Sequence, residues 1–348
     1  MIGIVHVGNI LAEPYFEKYK SALDESGENY ELILWDRRGE VQSQDGIHVF
    51  RCGNIPKGKL GKYLAYRKFS KFAKKIVKEK KYEKLVLLTT LSAFVLGKTI
   101  KGYKGKYVLD IRDMTFEKSP VFRKKLSRII KNSTFTAISS SGFLDVLPDY
   151  EYTLVHNLSG EDGEIDFKPK KENGKIEVLY TGNSRGFEFN KRLIQIFGKD
   201  DRFHLTIAGE GVDEPKLIDL ANSSGVTVCG KYDSQKKREL LLGADMIINM
   251  NTASFNGKRL TANKFYDGLL YKLPQVARAD EYTGALVTCK ELGVALDFLD
   301  VDFADKLYEY YQKLDIEEFI RKADAELKRA KQQNEVFVQK LIEFAKSK

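Results

Sequence analysis

Short β-rich apolar runs alternate with helical stretches along almost the whole chain, and this alternation leaves few folds open. In the first half the runs are "IGIVHV", "YELILW", "IHVFRC", "KLVLLTT", "KYVLDI", "TFTAIS" and "YTLVHN". Helical periods separate several of them, as in Glu13–Ser26 and Lys59–Glu79. The pattern breaks at "LSGEDGEIDFKPKKENGK" (Leu158–Lys175), rich in glycine and charge and without an apolar period, which reads as a linker. It then restarts with "IEVLYTG", "FHLTIAG", "VTVCG", "DMIINM" and "PQVA", with helical segments at Asn190–Phe197, Glu214–Asn222, Gln235–Leu242 and Ala262–Tyr271. The expected class is α/β: two doubly wound, Rossmann-like domains facing a cleft. The first covers 1–160, the second 172–330, and a C-terminal helix 331–348. Ligands of such sheets bind outside the carboxyl ends of the strands.

With 348 residues the chain is long for one core and natural for two. The start "MIGIVHVGN" reads as a first strand and not as a signal peptide, and no apolar run spans a bilayer. A cytoplasmic location follows as the expectation, at the inner face of a membrane if the basic segments face lipid. Cys52, Cys229 and Cys289 are odd in number and far apart, so neither a disulfide framework nor a zinc ribbon is supported. The four histidines show no metal-ligand spacing, so no metal and no cofactor is expected.

The net charge of +9 is uneven. Lys57–Lys84 is densely basic, and "FRKKLSRIIK" (Phe122–Lys131) adds to it. A basic amphipathic segment is either a solvated helix face or a contact for an anionic membrane. No nucleic-acid-binding motif accompanies it, so nucleic acid is not an expected partner.

Five stretches carry candidate chemistry. "LTIAGEGVDEPKLIDL" places Gly209 and Gly211 between a strand and a helix, either an ordinary turn or a close approach of backbone to a phosphate. "LYTGNSRGFEFNKRL" surrounds Gly182, Asn183 and Gly186 with Arg185, Lys191 and Arg192, a setting that suits a diphosphate or a turn with solvated cations. "YVLDIRDM" ends a strand with Asp110, Arg112 and Asp113, either facing the cleft or forming a strand-capping ion pair. "DVD" (Asp300–Asp302) has the form of a metal-binding Asp-x-Asp, yet it precedes a helical run and is better read as a helix cap. In "NKFYDGLLYKLPQVA" (Asn263–Ala277), Lys264 and Asp267 share one helix face, with Thr261 or Asn263 as cap. The helix-start amides suit a phosphate, and Asp267 suits hydroxyls such as those of a ribose.

The order "TIAGEG… VTVCGKYDSQKKRELLLGADMIINM… NKFYDGLLYKLPQVA" resembles the donor-binding half of GT-B glycosyltransferases, family 4 in particular. Gly209, Gly211, Gly230, Leu241–Asp245, Lys264, Asp267 and Pro274 occupy the family's positions. "DIRDM" and "FTAISSSGFLDVLPDYEYTLVHN" are similar to its first half. The resemblance implies transfer of a sugar from a nucleotide-diphosphate sugar to a glycan or lipid-linked acceptor, with retention and without a metal, in surface polysaccharide synthesis. It implies donor binding by Gly209, Gly211, Lys264 and Asp267, to which the glycine-flanked loop adds Gly182, Asn183, Arg185 and Lys191 as donor-binding candidates. His6 and Asp113 are the catalytic candidates, His6 in a positioning role or as a histidine closing its strand. Gly8, Asn9 and Arg112 are the acceptor-side candidates. The chain departs from the family at Arg259 and Asp267, where glutamates are usual, at Lys272, usually glycine, and at Asn183 and Glu188, which hold the registers of its cations. A GT-B-like nucleotide-binding scaffold without turnover, or a sugar-nucleotide epimerase, are the alternatives.

Overall fold

The computed structural model describes residues 1–347 apart from 14, 38, 43, 53–57, 159–173, 183–185, 212–214 and 252. The linker stretch lies almost wholly outside them. The chain divides into two units, Met1–Ser159 with Ala330–Lys348, and Gly160–Arg329.

The first unit contains strands β1 (Ile2–His6), β2 (Tyr30–Asp36), β3 (Ile47–Arg51), β4 (Lys84–Leu88), β5 (Tyr107–Ile111), β6 (Phe135–Ile138) and β7 (Tyr152–Leu154). Its helices are α1 (Phe16–Ser26), α2 (Lys59–Lys80), α3 (Thr90–Leu96) and α4 (Pro120–Lys131), with a 3₁₀ stretch at Gly97–Tyr103. All strand pairs are parallel, in the order β3-β2-β1-β4-β5-β6-β7. Every residue of β1, β4 and β5 is buried, which is why these strands read as near-continuous apolar runs.

The second unit contains β8 (Ile176–Thr181), β9 (Phe203–Ala208), β10 (Thr227–Cys229), β11 (Met246–Ile248), β12 (Gln275–Arg278) and β13 (Gly293–Leu296). Between and after them run α5 (Phe187–Phe197), α6 (Pro215–Asn222), α7 (Ser234–Gly243), α8 (Asn263–Leu270), α9 (Tyr282–Cys289), α10 (Phe303–Lys313) and α11 (Ile316–Lys346). The sheet is again parallel, in the order β10-β9-β8-β11-β12-β13. Tyr180, Phe197, Phe203, Ile207, Met246, Ile248 and Phe303 centre its core.

α11 starts at Ile316, well before residue 331, and its last part belongs to the first unit. There Phe337, Leu341 and Phe344 join the core beside Ile2, Leu32 and Val86. Buried Lys84 donates from Nζ to the carbonyls of Phe344 (2.7 Å) and Ala345 (2.9 Å). A cation at a helix carboxyl end satisfies otherwise orphaned carbonyls and complements the helix dipole. Among the described residues no helix is long and apolar enough to cross a membrane.

Strand order reverses between β1 and β4 in the first sheet, and between β8 and β11 in the second. The residues just past these strands are therefore where each sheet offers a ligand crevice.

Candidate active site

In the second unit, Gly182 follows β8 at the reversal point. Lys264 stands in the first turn of α8 and is 5% exposed. Its Nζ lies 3.7 Å from where a Cβ on Gly182 would stand and 5.1 Å from the centre of the Tyr180 ring. One turn on, the Asp267 carboxylate accepts a hydrogen bond from Lys237 Nζ of α7 at 2.7 Å. The Tyr232 hydroxyl stands beside Thr181, the Gly182 backbone, Lys237 and Asp267, and burial raises its pKa. Lys264, Asp267, Lys237, Tyr232 and Gly182 thus form one cluster, with two cations to one carboxylate. Lys264 is a buried cation over an aromatic face, so an anion at Gly182 would meet it in a low-dielectric setting.

The cap of α8 differs from expectation. The N-cap is Ala262, neither Thr261 nor Asn263, and it has no side chain to accept from the first turn. Lys272 ends the turn after the helix with φ +53°, the left-handed conformation a glycine would adopt freely. Its Nζ donates to the Leu269 carbonyl at 3.0 Å and pairs with Asp324.

Gly209 and Gly211 divide in role. Gly209 is buried with φ +152°, and a Cβ there would stand 1.6 Å from the Gly182 carbonyl oxygen. The close approach it permits is therefore between the loops after β8 and β9. Gly211 is exposed with φ +79°. Asn183 and Arg185 lie outside the described residues. Lys191 sits on α5 with Nζ 6.0 Å from the Phe187 ring centre, while Arg192 donates to the carbonyls of Phe298 (3.4 Å) and Asp300 (2.9 Å). In the Asp-x-Asp pair, Asp300 accepts from Lys306 and from the Asp302 amide, and Asp302 occupies the N-cap of α10 without a side-chain cap bond. Among the described residues no group of histidine, cysteine or carboxylate side chains forms a metal-ligand set.

Sequence reasoning did not find Glu281. It is buried just before α9, its carboxylate accepts from the Asn251 amide at 3.1 and 3.2 Å, and burial pushes its pKa up to about 7. Glu281 thereby ties the turn after β12 to the loop after β11.

In the first unit, His6 ends β1 and is 7% exposed. Its Nδ1 lies 3.3 Å from the Leu88 carbonyl, an acceptor, so Nδ1 carries the proton and Nε2 is left with its lone pair. Nε2 faces Gly8, at 3.0 Å from where a Cβ on that residue would stand. Burial, and secondarily Arg37, lower the His6 pKa to about 4 against the pull of the Leu88 carbonyl, so the ring is neutral at neutral pH. Asn9 spends its Oδ1 on the Leu11 amide, at 3.2 Å, as cap of a 3₁₀ turn.

Arg112 is 8% exposed and donates from Nε to Asp110 at 2.7 Å. It also bonds Asn157, and its guanidinium lies 3.9 Å from the Tyr15 ring centre. Asp110 lies within β5 and Arg112 just past its end, two residues on in extended chain, so the two side chains reach the same side. This is the geometry of the strand-capping ion pair. Asp113 is exposed and close enough to Glu13 to help raise that carboxyl's pKa, after burial.

His6 gives a pH prediction. Its pKa is about 4 in the fold against 6.5 ordinarily, so between these values the unfolded chain binds more protons. Its contribution is whole above pH 6.5 and falls as pH drops toward 4, by up to roughly 3 kcal/mol. Urea melts across this window should show a slope that is shallower in His6→Gln. Parallel slopes would mean that His6 titrates alike in both states.

No family model matches the sequence, and no curated protein matches it. Solved structures do match in fold. WaaG, a glycosyltransferase involved in lipopolysaccharide biosynthesis, superposes with TM-score 0.65 at 10% identity over 100% of both chains. A glycosyltransferase from Rickettsia africae ESF-5 gives 0.64 at 13% identity, over 100% of this chain and 99% of that one. A protein described as a UDP-N-acetylglucosamine 2-epimerase from Listeria monocytogenes gives 0.58 at 8% identity, over 92% and 90%. Identities this low speak for the fold and not for the reaction. The two all-parallel sheets with these neighbours establish that the chain has the GT-B fold.

Proposed function

We propose that this protein is a glycosyltransferase that moves a sugar from a nucleotide-diphosphate sugar to a glycan or lipid-linked acceptor. The observation that carries the proposal is the cluster of Lys264, Lys237, Asp267 and Tyr232 around Gly182, at the strand-order reversal of the second sheet. In this reading the second unit holds the donor. Lys264 and the α8 amides balance the leaving diphosphate, and Asp267 accepts ribose hydroxyls. The first unit holds the acceptor near His6, Gly8 and Asp113. Neutral His6 positions a hydroxyl through Nε2. Retention of configuration, independence from a metal, and a place in surface polysaccharide synthesis at the inner face of a membrane come from the family 4 resemblance.

A second reading has one observation of its own. Arg259, at a position where the family carries glutamate, is turned onto its own loop, with Nη1 donating to the Phe255 carbonyl at 2.9 Å and the guanidinium 4.1 Å from the Phe255 ring centre. A nucleotide-binding scaffold without turnover would tolerate this arrangement. The 2-epimerase of the same fold adds an enzymatic rival.

Thermal shift and product analysis with a panel of nucleotide sugars separate the three, since a ligand of the fold raises its apparent stability. Binding with sugar release or transfer supports the transferase, binding alone the scaffold, and an epimerised product the epimerase. Asp267→Asn should weaken nucleotide-sugar binding by about tenfold or more, the value of a charged hydrogen bond. Lys237→Met, which removes the ion-pair partner of Asp267, should weaken it less. Wild-type affinity of Asp267→Asn by calorimetry would take the carboxylate out of the donor site. His6→Ala should slow transfer strongly while changing nucleotide affinity by less than about tenfold.

A further inference from the structure

The first unit holds a groove of about 690 Å³ between α3, the 3₁₀ stretch and α4. That is within the range of roughly 300–1,000 Å³ typical of small-molecule sites. Its wall on α4 is Lys125, Arg128 and Ile129, one face of that helix, with Asn132 just past its end. Its floor is apolar, with Phe94, Ile100, Tyr107 and Ile129. Its rim is cationic: Lys98, Lys101, Lys104, Lys125 and Arg128 are all exposed, and no acidic residue lines it. None of the five has an ion pair among the described residues. The groove reaches Tyr107 at the start of β5 and Asn132 past the end of α4, whereas the candidate acceptor residues lie past the carboxyl ends of β1 and β5.

Two neighbouring features extend this chemistry. Phe94 stacks on Phe122 at 3.9 Å, and Phe122 lies 5.8 Å from Phe116, so an aromatic track leaves the groove. It leads to the start of α4, where Phe116 is 50% and Val121 66% exposed. On another side, Lys74 of α2 brings Nζ within 3.4 Å of where a Cβ on Gly97 would stand, so the basic helix α2 reaches the groove edge. Exposed apolar side chains beside unpaired cations are the composition of a surface that meets anionic lipid.

We propose that this groove binds an anionic phospholipid, with an acyl chain along the Phe94–Ile100–Ile129 floor and the phosphate among Lys101, Lys125 and Arg128. An apolar floor within a ring of cations fits an amphiphile and gives a free phosphate or a nucleic acid no use for the floor. The site deepens the membrane-facing part of the reading above and does not depend on the sugar chemistry.

The test uses the full chain with phosphatidylcholine vesicles, with and without phosphatidylglycerol, and with soluble dihexanoyl-phosphatidylglycerol. Wild-type protein should bind the anionic vesicles and the soluble lipid saturably, and inorganic phosphate or an RNA oligomer far more weakly. Lys101→Glu with Lys125→Glu and Arg128→Glu should lower affinity for anionic vesicles by at least about tenfold. Lys68→Glu with Lys71→Glu, on the outward side of α2, should lower it less. Thermal melts show that each variant is folded, which these exposed positions favour. Loss confined to the α2 variant would leave membrane contact standing and overturn the groove. Phosphate or RNA binding as tight as the lipid would overturn it as well. Intact sugar turnover in the groove variant would leave the transferase reading untouched by either result.

Discussion

Gly209→Ala is expected to destabilise the second unit by at least about 3 kcal/mol and to lower its melting temperature by roughly 6–12 °C. The added methyl would stand 1.6 Å from the Gly182 carbonyl oxygen and 2.6 Å from its carbon. Both are backbone atoms, so no rotamer change relieves the overlap. The φ of +152° is itself strained for any residue with a Cβ. Nor can the loop step aside cheaply. The Gly209 amide donates to the carbonyls of Cys229 and Gly230, both at 3.1 Å, and the Gly182 amide donates to Ala208 at 3.0 Å. Relief of the clash therefore breaks bonds that join β8, β9 and β10. Differential scanning calorimetry of the folded variant measures the effect. A Gly209→Ala protein melting within about 2 °C of wild type would show that the two loops do not touch as described. A Gly211→Ala control should cost less, about 1–2 kcal/mol, because Gly211 is exposed and an alanine there meets only the strain of φ +79°.

The strands were legible because a sheet covered on both faces needs apolar residues at every position. β1 to β12 all fall on runs read as strands. β13 (Gly293–Leu296) was not legible: it is an edge strand of four residues, three of them half-buried, and so carries neither an apolar run nor an alternation. α9 (Tyr282–Cys289) escaped for the opposite reason, since "YTGALVTC" is apolar or small nearly all round and shows no helical stripe. In the candidate site, Lys264 and Asp267 were legible because one helix sets their spacing. The Asp110–Arg112 pair was equally open to reading, since opposite charges two residues apart at a strand end reach the same side. Tyr232 and Lys237 were not. They meet Asp267 only because β8 and β11 pair across a crossover, and nothing within a short window records that. Gly209 was legible as a close approach but not for its partner, which is protein backbone from the neighbouring loop.

Lys264→Met should reduce affinity for a nucleoside diphosphate by about ten- to a hundredfold and leave affinity for the bare nucleoside within about threefold. Methionine keeps the apolar stem and removes the ammonium, so packing against Tyr180 survives while the charge is lost. The site explains why the effect should be large. Lys264 is 5% exposed, its Nζ is directed at Gly182, and water screens such a charge poorly. The two ligands together separate a binding role from a structural one. A structural lysine would treat diphosphate and nucleoside alike. Calorimetric titration of both ligands into wild type and Lys264→Met decides between them. Equal losses for the two ligands would move the phosphate away from α8, toward the cations of the loop after β8.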